Sequence, residues 1–278
     1  MKLRHGFSQL SEVGLHTVEA GEGPLLLLLH GFPDFWYTWR KQLEVLGRSF
    51  RVVAPDLRGY NQSDKPASVK AYRMDRLARD VAELIEDLGE QSALVAGHDW
   101  GGAVAWATAG FFPERVRRLA VLNCPHPNAM SHALRRNPRQ LARSWYILGF
   151  QLRGLPEWIL RRRLAAWLRY AYGDLLTSQD LKRHLEALRR PAALTSAIHY
   201  YRAGAVQVPP TRCPALLLFG TGDRFLLRST AADSARHVET PLRIEWLEGV
   251  GHWVHLEATD EVNRTLLEWF GADSTSEG

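Results

Sequence analysis

The five leucines at 25–29 form the most apolar run in the chain. The run is far shorter than the roughly 20 apolar residues that cross a bilayer, and it has the length of a strand buried on both faces. Around it, strand and helix patterns alternate. Residues 36–46 predict a helix, 51–54 a strand, 74–88 a helix with apolar residues at helical spacing, 92–96 a short apolar strand, 103–112 a helix and 119–122 a strand. From about residue 125 the character changes to Arg- and Leu-rich helical segments, with no convincing strand until 215–219. The alternation then returns, with a strand at 216–219, a helix near 230–237, a strand at 243–246 and a last helix over 257–270. Such alternation predicts an α/β fold with a mostly parallel central sheet flanked by helices. Two sheet-forming blocks, 1–124 and 213–278, flank one helical block, 125–212, so the expected architecture is one core carrying a helical cap insertion.

Composition narrows this picture. With 46% hydrophobic and 23% charged residues over 278 positions, the chain is expected to be globular, with fraying confined to the small, polar tail at 271–278. Residues 1–21 are charged and mixed, without the basic-then-apolar pattern of a secretory signal, and no element is assigned there. The two cysteines, Cys124 and Cys213, form no CxxC or ligand cluster, which fits a reducing, cytoplasmic setting without a disulfide. The net charge of +5 comes largely from arginines between 135 and 190. A nucleic-acid or anionic-membrane surface would need those charges on one face. Their setting fits instead the solvated sides of amphipathic helices, and no nucleic-acid partner is expected.

Three Gly-rich turns after strands carry the chemistry. In Gly97-His98-Asp99-Trp100-Gly101-Gly102, small residues flank a carboxylate on a strand-to-helix turn, the pattern of a nucleophile elbow. Most such elbows hold serine. Serine attacking an sp³ carbon would leave a stable ether, whereas aspartate leaves an ester that water can cleave, so Asp99 points to displacement at an alkyl carbon. The turn His30-Gly31-Phe32-Pro33 follows the leucine run, and the backbone N–H groups of Phe32 and Trp100 are the expected oxyanion hole. Asp223 in Gly220-Thr221-Gly222-Asp223 and His252 in Gly249-Val250-Gly251-His252 complete the order nucleophile, acid, base at the carboxyl edge of the sheet. Asp56 is expected to fix a loop, His30 to be structural, and His255 to serve surface or packing; Asn123 cannot be a charged acid partner. Phe35, Trp36, Trp100 and Phe225 suggest an apolar pocket.

Taken with Asp56-Leu57-Arg58-Gly59-Tyr60 and Gly251-His252-Trp253, these motifs resemble the epoxide hydrolases of the α/β-hydrolase superfamily across nearly the whole chain. The resemblance implies an α/β-hydrolase fold, a small apolar epoxide and water as substrates, and two cap tyrosines that hold and protonate the epoxide oxygen. Ser144-Trp145-Tyr146-Ile147 and His199-Tyr200-Tyr201-Arg202 resemble the segments bearing them, which assigns Tyr146 and Tyr201, while Tyr170, Tyr172 and Tyr200 read as packing. It also implies that Phe32, Trp100, Tyr146 and Tyr201 contact substrate. No metal or organic cofactor is called for, since nucleophile and base are both side chains. Two other readings stand beside this one: a hydrolytic dehalogenase using the same Asp99, and a non-catalytic homologue that binds a ligand in the cap pocket.

Overall fold

A computed structural model describes residues 2–272; residues 273–278 of the expected frayed tail lie outside them, and Gly271 closes the last helix. Eight strands form one sheet among the described residues: β1 (Arg4–Gln9), β2 (Gly14–Ala20), β3 (Leu25–Leu29), β4 (Arg51–Pro55), β5 (Ala93–His98), β6 (Val116–Leu122), β7 (Ala215–Gly220) and β8 (Leu242–Leu247). Their spatial order is β1-β2-β4-β3-β5-β6-β7-β8. The six strands from β4 to β8 in that order run parallel, with Leu27 of β3 opposite both Val53 and Val95. The first two run antiparallel to their neighbours.

Both faces of the leucine run are covered. Leu25, Leu27 and Leu29 join one core cluster, and Leu26 and Leu28 join another on the opposite side of the sheet. The first cluster packs under α2 (Met74–Asp87) and α3 (Trp100–Phe111), preceded in the chain by α1 (Arg40–Leu46), which covers the second. Six helices lie between β6 and β7: α4 (Pro127–Arg136), α5 (Pro138–Arg143), α6 (Trp145–Phe150), α7 (Leu155–Tyr172), α8 (Ser178–Arg189) and α9 (Ala193–Arg202). After β7 come α10 (Arg228–Ala232), α11 (Val254–Glu257) and α12 (Thr259–Gly271), the last packed with α1 on the second cluster.

Three details differ from the sequence reading. The N-terminal hairpin β1–β2 has no counterpart in the expected elements; β1 is a solvent-facing edge strand with little apolar periodicity, and β2 is buried yet carries His16, Thr17 and Glu19. The expected helix at 36–46 opens with a tighter 3₁₀ turn over Trp36–Trp39 before the α-helix begins. The expected helix at 257–270 is α12, which starts at Thr259, and a short separate helix, α11, precedes it across Ala258.

Candidate active site

Asp99 is the single residue between β5 and α3, and its backbone sits at φ 52°, ψ −123°. A non-glycine residue in that region carries strain of order 1–3 kcal/mol, which the surroundings must impose. They do so through two glycines. A Cβ on Gly97 would collide with the backbone of Gly101, and one on Gly101 would collide with the carbonyls of Leu29 and His30. The tight crossing of the two strands' ends with the helix thus lifts the Asp99 carboxylate above the sheet, at the positive end of α3.

On one side the Phe32 N–H donates to Asp99 Oδ1 at 2.7 Å. Trp100 opens α3, so its N–H belongs to the first turn, where no intrahelical acceptor exists. On the other side His252 Nε2 stands 3.5 Å from Asp99 Oδ2, while His252 Nδ1 donates to Asp223 Oδ2 at 2.7 Å. Asp223 lies in the turn after β7 and His252 in the loop after β8, adjacent parallel strands, so both reach the sheet edge that bears Asp99.

Electrostatics follow from this sandwich. Burial disfavours the charged imidazole, but the charges and hydrogen bonds of Asp223 and Asp99 outweigh it and hold His252 well above its ordinary pKa. Burial likewise opposes the Asp223 carboxylate, yet His252, Asn123 and the Leu226 N–H keep it below the usual carboxylate range.

A cavity of about 650 Å³ is lined by Asp99, His252 and Phe32 together with Tyr146 of α6 and Tyr201 of α9. The two phenol rings lie 6.0 Å apart, nearly perpendicular. Burial, reinforced by nearby groups that include Asp99, pushes both hydroxyls well above the usual phenol value, so both carry their protons at neutral pH. Tyr200 points elsewhere, its hydroxyl donating to the Arg58 carbonyl at 2.7 Å.

Comparison with known proteins fits this geometry. A model of the alpha/beta hydrolase fold matches residues 24–259. The chain is 40% identical over 276 residues to the AB hydrolase superfamily protein YfhM of Bacillus subtilis (strain 168), covering 95% of this chain and 96% of that one. It is 35% identical over 280 residues to epoxide hydrolase 4 of Homo sapiens, covering 94% of this chain and 77% of the relative. The chain belongs to the epoxide hydrolase family of α/β-hydrolases. A solved structure, the Bacillus megaterium epoxide hydrolase in complex with an inhibitor, matches with a TM-score of 0.87 at 29% identity, over 96% of this chain and all 100% of that one.

Within this epoxide hydrolase framework, some expected contacts move and new ones emerge. Trp100, expected to touch substrate, is only partly buried, and its indole packs edge-on against the cavity-lining Tyr201 at 5.0 Å and against Tyr200 at 5.6 Å. Of the other aromatic residues expected in the pocket, Phe225 lines the cavity, whereas Phe35 and Trp36 are buried in the core cluster below the sheet. Asn123, set aside as an acid, is a positioning residue. Its Nδ2 donates to Asp223 Oδ2 at 2.7 Å and its Oδ1 accepts from the Gly220 N–H at 2.9 Å.

Asp34, one residue past the Phe32-Pro33 turn, is a second unforeseen hub. Its fully buried carboxylate accepts from Tyr172, His184 and the Trp253 indole at 2.7, 3.0 and 3.1 Å. Ligand atoms of Asp34, His98 and His255 all lie within 4.8 Å of one another, a spacing that could suit a metal. Three donors already engage the carboxylate, and His98 Nε2 donates to the His252 carbonyl at 2.9 Å, so the cluster reads as hydrogen-bonded support behind His252. His255, expected at the surface or in packing, is fully buried with its Nε2 on Thr38 Oγ1.

A polar clamp joins the two tyrosine-bearing helices. Arg202, next to Tyr201, donates to the carbonyls of Phe150 and Leu152 and pairs with Glu157 of α7 at 2.5 Å. Gln151 returns the tie by donating to the Tyr201 carbonyl at 2.9 Å.

Proposed function

We propose that the chain opens an epoxide to a vicinal diol in two steps, with residues 125–212 as a cap over the site. Asp99 Oδ2 attacks one epoxide carbon, the carbon–oxygen bond breaks, and the ring oxygen takes a proton held by Tyr146 and Tyr201. The result is a hydroxyalkyl ester on Asp99. Oδ1, already bonded to the Phe32 N–H, stays behind as the ester carbonyl oxygen. His252 then deprotonates a water that attacks this carbonyl, Phe32 and Trp100 N–H groups hold the oxyanion, and collapse releases the diol and restores the carboxylate.

The position of His252 between two carboxylates supports the order of events. While Asp99 is charged, His252 holds its proton and cannot act as a base. Ester formation removes that charge, lowers the proton affinity of the imidazole, and frees it for the second step. Ring opening takes one proton from a phenol, the proton that His252 releases as the Asp99 charge is lost restores that phenol, and hydrolysis leaves one water proton on the departing diol oxygen and the other on His252 beside the regenerated carboxylate. Asp223 keeps the imidazole oriented throughout.

The observation that carries the reading is that Asp99, His252 and the Tyr146–Tyr201 pair line one cavity. Two proton-bearing phenols suit an oxygen that must be protonated as it leaves carbon; a departing halide needs no proton, which sets the dehalogenase reading second. The free, buried Cys124 and Cys213 support a reducing, cytoplasmic setting. A single turnover in heavy-oxygen water tests the route: label is expected in the Asp99 carboxylate and not in the first diol released. Label passing directly into that diol would overturn it.

A further inference from the structure

The cap exposes an unusual amount of apolar surface. Of the ten large apolar side chains exposed among the described residues, eight fall between 141 and 170. Trp145 is 67%, Leu148 63% and Tyr170 66% exposed, with Leu152, Leu155 and Trp158 beside them. Scattered exposure is ordinary on a protein surface, whereas a contiguous patch marks a contact. The spacing makes it contiguous: Trp145, Leu148 and Leu152 follow one side of α6 and its continuation, and Leu155 and Trp158 follow on the first turn of α7. Trp145, Leu152, Leu155 and Tyr170 also border the outer part of the cavity that leads to Asp99.

The same stretch is strongly basic. Residues 139–170 carry seven arginines, all exposed, and one carboxylate, Glu157, which is buried against Arg202. Arginine and aromatic groups are interleaved at the rim, with the Arg162 guanidinium 4.4 Å over the Trp158 ring and that of Arg224 4.8 Å over Tyr170. The sequence pattern assigned these arginines to plain solvated helix faces; they are solvated, but they share their surface with tryptophans and leucines.

We propose that this rim docks on an anionic lipid surface, with the cavity mouth turned toward the bilayer. Tryptophan favours the headgroup level, leucine enters the acyl boundary, and arginine meets anionic headgroups while its stem covers apolar surface. Charge argues against a second copy as the occupant, because two such faces would set arginines against arginines, with the one carboxylate of the stretch, Glu157, already buried against Arg202. Exposed leucines argue against nucleic acid, which takes aromatic stacking and basic groups. The attachment is superficial, since no helix among the described residues is long and apolar enough to cross a membrane. An apolar epoxide dissolved in the bilayer would then enter the site without crossing water; that last step rests on the epoxide reading, and the docking does not.

The test is co-sedimentation of the full chain with vesicles of phosphatidylglycerol and phosphatidylcholine against phosphatidylcholine alone. Binding is expected only to the anionic vesicles and should weaken as salt rises. Leu148→Ser with Trp158→Ser, two side chains outside the cavity lining, should weaken it at least tenfold, and Arg161→Gln with Arg162→Gln roughly fivefold per arginine. Both double variants should keep the native circular dichroism and the native rate on a water-soluble epoxide, which separates docking from folding and catalysis. Three results would overturn the proposal: no binding to anionic vesicles at low salt, binding indifferent to both double variants, or a dimer in sedimentation velocity that Leu148→Ser with Trp158→Ser dissociates.

Discussion

Replacing Asp223 by asparagine should stop this enzyme halfway. In the native site Oδ1 accepts from the Phe225 and Leu226 N–H groups, and Oδ2 accepts from Asn123 and His252. Asparagine keeps that shape and can keep the two backbone bonds. Its NH₂, however, replaces the acceptor facing His252 Nδ1, so the imidazole must present a lone pair there and carry its proton on Nε2, toward Asp99. The base is then absent from the side where water must be activated. A buried charge-assisted bond at 2.7 Å is at stake. Its loss is worth about 1.5–3 kcal/mol, or roughly 10- to 100-fold in rate. A wrong tautomer carries the penalty further, toward about 10⁴-fold where the same Asp-to-Asn change has been made in serine protease triads. Ester formation uses Asp99 and the tyrosines and should slow by less than about tenfold. Rapid quenching followed by intact-protein mass spectrometry reads both steps: the variant should accumulate enzyme plus one substrate mass while diol release falls by two to four decades, roughly. If alkylation and hydrolysis fell in parallel and no adduct formed, the division of labour between Asp99 and the His252–Asp223 pair would be wrong.

Two further outcomes follow from the same geometry. Tyr146→Phe and Tyr201→Phe should each reduce the rate of adduct formation by about 10²-fold, the lower range of general-acid contributions. The hydrolysis of a preformed adduct should stay near the native rate, and equal effects on both steps would remove the tyrosines from ring opening. The pH dependence of stability tests the charge sandwich. Because His252 is raised in the folded state, its contribution is complete below its unfolded value of about 6.5 and is lost as pH rises through the folded value. Asp99→Asn removes one of the two carboxylates, so Tm should decline less steeply on the alkaline side in the variant than in the native chain. A steeper decline in the variant would contradict the assignment.

The candidate groups at the sheet edge, Asp99, Asp223 and His252, were legible because each sits in a glycine-rich turn at the end of an apolar strand, a pattern that is local in the chain. What stayed hidden depends on contacts between distant segments. Strand β2 owes its burial to pairing with β4 and its His16 to a 2.7 Å bond with Asp56, neither of which its own polar sequence announces. Asn123 supports the acid from 100 residues away, and Asp34 collects donors from 138, 150 and 219 residues downstream. The motif match selects Tyr201 over Tyr200, and the fold gives the neighbours different surroundings: adjacent residues on a helix face different ways, so Tyr201 lines the cavity while the Tyr200 hydroxyl bonds the Arg58 carbonyl.

The Arg202 clamp bears on how such a site can change. It binds the stretch just after Tyr146 to the residue just after Tyr201, from outside the cavity lining. The gap between the two phenols is therefore gauged by groups that never meet the substrate. Displacing a positioned group by about 1 Å can cost 10²-fold in rate. Loosening Arg202 or Glu157 would retune the gap between the two tyrosines without changing the identity of any cavity-lining residue, so remote substitutions offer a route to altered selectivity.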